Sequence, residues 1–313
     1  MSISLTSGSK TGRRQQNGPV LLVLASALFW GLWWVPVRLV EALGLTGVWP
    51  NLGINLGALL GLGAAVAVRR GRAQLAGSAL IGSVLIGIAV AFYGAALSLT
   101  DVARAVLLFY LAPAWSTLIE VAFFGQRWQW RRLLPLLLSF GGMIAVFRGD
   151  ITLDGVTIGD LAAFASGIAW AVGAALVFAT GPGEIDQGRP GALRLGFLVM
   201  IAAVATSVLM LPIGWQGWPR FESADAPFAL LLALAAGGLY LAPIIGVTLW
   251  GATRLTPTTI SFLLAAEILS GITSSALLLD ERFGFWEMTG TVMIVASVIA
   301  HIAIADDDVP GKV

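Results

Sequence analysis

Ten apolar stretches, each close to the length that crosses a bilayer, take up most of this chain. They lie near residues 20–40, 50–68, 78–98, 103–124, 130–147, 158–180, 193–213, 227–250, 257–279 and 286–305. A hydrocarbon core about 30 Å thick is crossed by roughly 20 apolar helical residues. Lipid offers no partner to free backbone groups, so only helices and closed barrels span it, and the alternating pattern of a barrel is absent. The expected fold class is all-α integral membrane, with ten transmembrane helices. Composition agrees, since 58% of the 313 residues are hydrophobic and 11% are charged, whereas a soluble domain carries about 25% charged residues. Soluble enzymes, nucleic-acid binders and disordered hubs are thereby excluded. The chain has no cysteine and one histidine, His301, which rules out disulfides, iron–sulfur clusters, thiol catalysis and a histidine metal site. No Walker-type loop is present, so ATP is not expected to drive it directly, and no cofactor is expected.

The polar, basic N-terminus leads into an apolar run with three tryptophans and no small-residue cleavage site, which reads as a retained first span. Lys10, Arg13, Arg14, Arg69, Arg70, Arg72, Arg127, Arg131, Arg132, Arg189, Arg194, Arg254 and Lys312 fall on one side of a ten-span arrangement; Arg104, Arg148, Arg220 and Arg282 fall on the other. The positive side faces the cytoplasm, which puts both termini there and predicts a multi-pass protein of the cell (inner) membrane. The expected organisation is a tail over 1–19, five helices over 20–148, five more over 157–305, and a tail over 306–313.

The two halves echo each other. The run from Tyr110 to Trp128 lies over the run from Ala265 to Phe283 at an offset of 155, and Phe29-Trp30-Gly31 is echoed by Ala169-Trp170-Ala171. A repeat with an odd number of spans enters the membrane from opposite sides in its two copies. Inverted repeats of this kind give transporters two similar states and a site near the midplane.

The residues Leu-Phe-Tyr-Leu-Ala-Pro before Gly-Gln-Arg-Trp, the later Ala-Ala-Glu-Ile before Leu-Asp-Glu-Arg-Phe, and Phe-Trp-Gly in the first span resemble the drug/metabolite transporter superfamily, specifically its ten-span EamA-type branch. The resemblance spans nearly the whole chain and implies a secondary transporter; the branch includes exporters of amino acids, aromatic ones among them. Two departures stand out. Gln126 occupies a position that is commonly acidic at the end of the fourth span, and Ile268 replaces the proline usual after the glutamate of the ninth.

Glu267 is the sharpest site candidate. It lies about ten residues into the ninth stretch, near mid-bilayer, where a carboxylate costs on the order of 3 kcal/mol unless protonated, paired or wetted. Ser270, Gly271 and Ser274 share its helical face. This face reads either as a cavity lining that binds a substrate ammonium or exchanges a proton, or as a structural contact of a protonated glutamate. In the fourth stretch Tyr110, Pro113, Ser116, Thr117 and Glu120 fall on one face, a vestibule of the pathway or a near-interface carboxylate reaching water or Arg127. Ser26, Trp30, Trp34 and Arg38 recur at steps of four in the first stretch, with Trp33 beside them. The stripe could stack an aromatic ligand and hold a carboxylate, or be ordinary core and lipid contact with Arg38 snorkelling beside Glu41. Tyr93, Trp115, Trp170 and Tyr240 are deeper lining candidates; Trp49, Trp215, Trp218 and Trp286 read as an interfacial belt. Asn51 and Asn55 with Gly53, Gly57 and Gly61 read as a seam for close helix contact.

These residues predict a secondary transporter, not an enzyme, that exports a small metabolite, an apolar or aromatic amino acid in the first reading and a drug or organic cation in the second. The expected partners are that small molecule, the lipid bilayer and protons as a coupling ion, with no nucleic acid and no obligate protein partner.

Overall fold

The computed structural model describes residues 9–69, 77–112, 115, 118–119, 130–146, 155–179, 189–212, 225–252, 254, 263–264, 266–279 and 284–307, and among these there is no strand. The helices are α1 Ser9–Gly31, α2 Trp34–Ala42, α3 Trp49–Val68, α4 Gly77–Leu99, α5 Val102–Phe109, α6 Leu133–Val146, α7 Ile158–Ala179, α8 Arg189–Met210, α9 Ala226–Ala236, α10 Ala242–Ala252, α11 Ala266–Leu278 and α12 Phe285–Asp307. Among the described residues, six continuous or nearly continuous helical stretches are long and apolar enough to cross a bilayer: Gly18–Ala42, Trp49–Val68, Gly77–Leu99, Ile158–Val177, Gly191–Met210 and Pro227–Gly251. Leu133–Gly142, Ala266–Leu278 and Phe285–Ala300 are apolar helices below that length. Large apolar side chains such as Leu21, Leu60, Leu137, Leu209, Leu239 and Leu277 stand outward and exposed, as lipid contact requires.

Three of the expected spans are interrupted, the fourth span among them at a stretch where Pro113 in the sequence already favours a kink. Between α1 and α2, Pro36 has no N–H to offer the Leu32 carbonyl, which accepts instead from Val35 at 3.0 Å. Leu32 and Trp33 donate to Phe29 and Trp30, also three residues back. The chain thus takes one tighter turn before resuming as α2. After α5 the helix turns at Tyr110 and Leu111, and the Phe109 carbonyl lies against Gly167, 2.7 Å from where a Cβ would stand. Between α9 and α10 the chain forms a π turn over Gly237–Leu241, with Ala242 donating five residues back to Gly237. Pro243, unable to reach Leu239, follows directly.

The halves pack on each other in pairs that survive exchange of one half for the other. The first helix of the first half (α1) lies on α11 and α10, and the first helix of the second half (α7) lies on α5 and α4. Likewise α4 lies on α8 just as the α9–α10 pair lies on α3, while α3·α8, α5·α11 and α6·α12 pair equivalent members. Within α6·α12, the buried hydroxyls of Ser139 and Ser297 are 2.5 Å apart, and Ser297 donates to the Pro135 carbonyl.

Close approach of α3 to the π turn depends on glycine. A Cβ at Gly57 would run into the backbone of Leu234, and one at Gly237 would run into Ile54 and Gly57. Beside this seam, Asn51 donates to the Ala91 carbonyl at 2.8 Å, and Asn55 donates to Ser207 at 3.0 Å and to the Asn51 side chain at 3.1 Å. The seam and its asparagines therefore serve helix contact.

At one end of the bundle, four helices are tied together. Arg38 pairs with Glu41 at 3.0 Å and donates to the Thr100 carbonyl at 3.4 Å. The Thr100 hydroxyl donates to Asp160 at 2.7 Å, and Arg104 lies 3.3 Å from the same carboxylate. Arg38 thus sits beside Glu41, and the end of α2 meets the start of α7 through one intervening residue.

Candidate functional site

Glu267 is 4% exposed and lies in the first turn of α11. One carboxyl oxygen, Oε2, is 2.8 Å from the Tyr110 hydroxyl; the other, Oε1, is buried with no hydrogen-bond partner. The Tyr110 hydroxyl also lies 2.7 Å from the Leu264 carbonyl. The Tyr93 hydroxyl is a further hydrogen-bonding neighbour of this carboxyl, and Tyr240 interacts with it electrostatically. The chain has three tyrosines in all, and they come from α4, the turn after α5 and the π turn to surround this one glutamate. No Lys, Arg or His pairs with Glu267 among the described residues.

An unbroken circuit of aromatic rings flanks the carboxyl. Trp30 meets Trp33 at a centroid distance of 5.2 Å, Trp33 meets Tyr93 at 5.7 Å, Tyr93 meets Phe109 at 4.8 Å, Phe109 meets Trp170 at 5.9 Å, and Trp170 returns to Trp30 at 6.5 Å. Phe109 also stacks edge-on with Tyr110 at 5.3 Å. The contacts are tilted or edge-on, the arrangements that ring quadrupoles favour. Both halves supply rings: α1 and the Leu32–Trp33 turn, α4 and α5 from the first, α7 from the second. The indole N–H of the fully buried Trp33 has no partner. The cluster therefore holds one unmatched donor and one unmatched acceptor, groups that native interiors almost always pair.

The remaining candidates are distributed around this centre. Trp30 donates to Thr248 at 3.1 Å, and Trp34 donates to Ser274 at 2.9 Å, so both indoles tie the first span to the second half. Ser270 donates to the Glu267 carbonyl at 3.1 Å and lies where a Cβ on Gly31 would fall, which places it at the α1·α11 contact. The Tyr240 hydroxyl donates to the Phe29 carbonyl, at the loosened turn between α1 and α2. Trp115 stacks on Phe140 and Phe164, at 6.0 and 5.2 Å. Trp49 is part-buried against the core, and Trp286 is 49% exposed. Pro113, Ser116, Thr117, Glu120, Gln126, Arg127, Trp215 and Trp218 lie outside the described residues.

Sequence reasoning passed over several members of this neighbourhood. Phe109 completes the ring circuit, Thr248 receives Trp30, and Asp160 anchors the end network. Asp160 had a legible signal: Thr157 and Asp160 bond each other's backbone N–H at 2.9 and 3.1 Å, the reciprocal cap that a Thr-x-x-Asp spacing before an apolar run announces. Phe109 and Thr248 had none, since an aromatic or a threonine in an apolar helix is most often simple core.

Comparison with known proteins follows the same lines. One solved structure ("Crystal structure of protein") shares 18% identity with this chain, covers 93% of it and 99% of its own length, and superposes with a TM-score of 0.56, a likeness of fold. No curated protein sequence matches significantly. The profile of the EamA-like transporter family matches twice, over residues 17–148 and 158–302, one match for each half of the bundle. The chain is a multi-pass membrane protein of transporter type, and it belongs to the EamA-like transporter family.

Proposed function

We propose that this protein is a secondary transporter that exports a small metabolite, an apolar or aromatic amino acid, by rocking two oppositely threaded halves about the Glu267 cluster. Ten spans in two inverted sets of five, with both termini in the cytoplasm of the cell (inner) membrane, complete this reading. Two features support opposite threading. The contacts between halves map onto themselves when the halves are exchanged, and the end of α2 meets the beginning of α7 through Thr100.

The observation that carries the substrate reading is the pair of unmatched buried atoms, Glu267 Oε1 and Trp33 Nε1, within one aromatic cluster. An amino acid presents an ammonium for the first and a carboxylate for the second, and its side chain fits among rings. Trp30, Trp34, Tyr93, Tyr110, Trp170, Tyr240, Ser270 and Ser274 then form or brace the binding region, with Ser116, Thr117 and Glu120 along the approach. A second reading, an organic cation, is favoured by the lack of any described basic side chain beside Glu267, because a carboxylate among rings also suits a lone positive charge.

The test is uptake into reconstituted vesicles against a panel of amino acids, with tetramethylammonium as competitor, for the parent and Glu267→Gln. Saturable uptake of aromatic or apolar amino acids by the parent and its loss in the variant is the expected result. Equal uptake by both proteins removes Glu267 from the mechanism, and competition by tetramethylammonium alone selects the second reading.

A further inference from the structure

We propose that Thr100 is the pin of a charged lock that closes the extracytoplasmic mouth above the aromatic cluster, and that this lock, built at one end only, makes the cytoplasm-facing state the resting one. The geometry starts from the ring circuit. Trp30 and Trp33 come from the first span, Tyr93 from α4, Phe109 from α5 and Trp170 from α7. The same four stretches carry the end network: Arg38 and Glu41 on α2, Thr100 directly after α4, Arg104 on α5 and Asp160 on α7. Trp33 and Arg38 are five residues apart, Tyr93 and Thr100 seven, Phe109 and Arg104 five, and Trp170 and Asp160 ten. At helical rise these steps come to roughly 8 to 15 Å. Every ring-bearing helix thus reaches the network at the same end, and the network roofs the rings.

Within this roof Thr100 joins the halves. Its carbonyl accepts from Arg38 at 3.4 Å, and its hydroxyl donates to Asp160 at 2.7 Å. Arg38 and Arg104 balance Glu41 and Asp160, so the closed network carries no net charge. Drawing α2 away from the head of α7 strains one of the two bonds that Thr100 makes.

The other end is built differently. Away from the network, residues 19–32 of the first span, 77–92 of α4, 110–119 after α5 and 171–179 of α7 contain no Asp, Glu, Lys or Arg. The described hydroxyls there bond neutral groups: Ser83 donates to the Ala79 carbonyl at 2.7 Å, and Ser26 and Trp30 meet Thr248 of α10 at 3.4 and 3.1 Å. Two exchangeable halves give two states of similar energy. Charges that clasp at one end remove that equality and favour the state closed there. The network lies opposite the basic residues, so export begins by loading from the cytoplasm. The sidedness of this inference rests on the transport reading above; the lock itself does not.

The test is a pair of spin labels on Ala42→Cys and Gly155→Cys, which flank the network in a chain that has no cysteine of its own. Both positions are exposed, and a Cβ at Gly155 meets open space. The substrate-free parent is expected to give one narrow distance distribution, and Thr100→Val to add a longer one. Thr100→Ser, which restores the hydroxyl, is expected to return the parent distribution. Valine keeps the backbone carbonyl and every charge, so the comparison reads the hydroxyl alone. The second readout is Ser274→Cys, at the position that receives Trp34, one turn from Arg38. On intact cells a small membrane-impermeant thiosulfonate is expected to attack this thiol about fivefold faster when Thr100→Val is present, the factor of one hydrogen bond. Unchanged distances and rates in Thr100→Val overturn the inference, and so does an opening that serine fails to reverse. If Gly155→Cys reacts only after the membrane is opened, the sidedness of the transport reading falls instead, while the distances still decide the lock.

Discussion

Arg104 reaches from α5 across to the start of α7 and ends 3.3 Å from Asp160, a carboxylate whose side chain is 2% exposed. Asp160 also accepts from the Thr100 hydroxyl and from the Thr157 backbone, so one carboxylate fastens the α4–α5 turn, α5 and the head of the second half.

Asp160→Asn keeps the shape and removes the charge. Breaking one partner of a buried charged pair leaves the other uncompensated, a loss of roughly 3 kcal/mol where burial is complete and less here, because Arg104 is 24% exposed. The expected outcome is a lower melting temperature in detergent. In a double-mutant cycle, Asp160→Asn and Arg104→Gln together cost less than the sum of the single changes; strict additivity would show that the pair is not coupled.

Tyr240→Phe removes one hydroxyl from the loosened turn of the first span and preserves the edge contact with Phe29, centroids 5.8 Å apart. A hydrogen bond of this kind contributes about 1 kcal/mol. Amide exchange at Leu32, Trp33 and Val35 is expected to quicken about fivefold, the factor such an energy corresponds to. Unchanged exchange at these three amides would show that Tyr240 does not brace the turn.

Two glycines separate close contact from helix propensity. Gly57→Ala drives a methyl into Leu234, whereas Gly246→Ala meets open space. The first is expected to lower the melting temperature. The second is expected to raise it slightly, since alanine exceeds glycine in helix propensity by about 1 kcal/mol. Equal effects would place the α3 seam farther apart than described.

The chain has no cysteine, so single introduced thiols report without background. A membrane-impermeant maleimide applied to intact cells is expected to label Gly155→Cys and spare Arg69→Cys until the membrane is opened. Labelling of both from outside would end the oppositely threaded arrangement.

Much of this molecule is legible in its sequence, because a bilayer imposes length and polarity on each segment. Hydropathy locates the apolar stretches, and the buried carboxylate of Glu267 stands out against them. Tyr110 and Glu267 were each legible, Tyr110 as part of a vestibule face and Glu267 as a central charge. Their hydrogen bond joins residues 157 positions apart and depends on how α5 lies on α11, which no local pattern encodes. The break at Leu32 was within reach, since Pro36 sits four residues later. The use made of that break, an exposed Phe29 carbonyl accepting from Tyr240, depends on the π turn of the other half. Ser270 and Ser274 read as a polar cavity face, yet small residues on a helix serve close contact equally well; they lie against Gly31 and Trp34.

The Ser139–Ser297 contact has a mechanical meaning. Each serine belongs to the last helix of its half, and the two meet hydroxyl to hydroxyl inside the protein. Ser297 gives its one hydrogen to the Pro135 carbonyl, so Ser139 is the donor between the two hydroxyls, and equivalent positions of the two halves are joined by a single hydrogen bond. In the rocking cycle proposed above, this contact between the last helices of the two halves places the fulcrum at the α6·α12 pair.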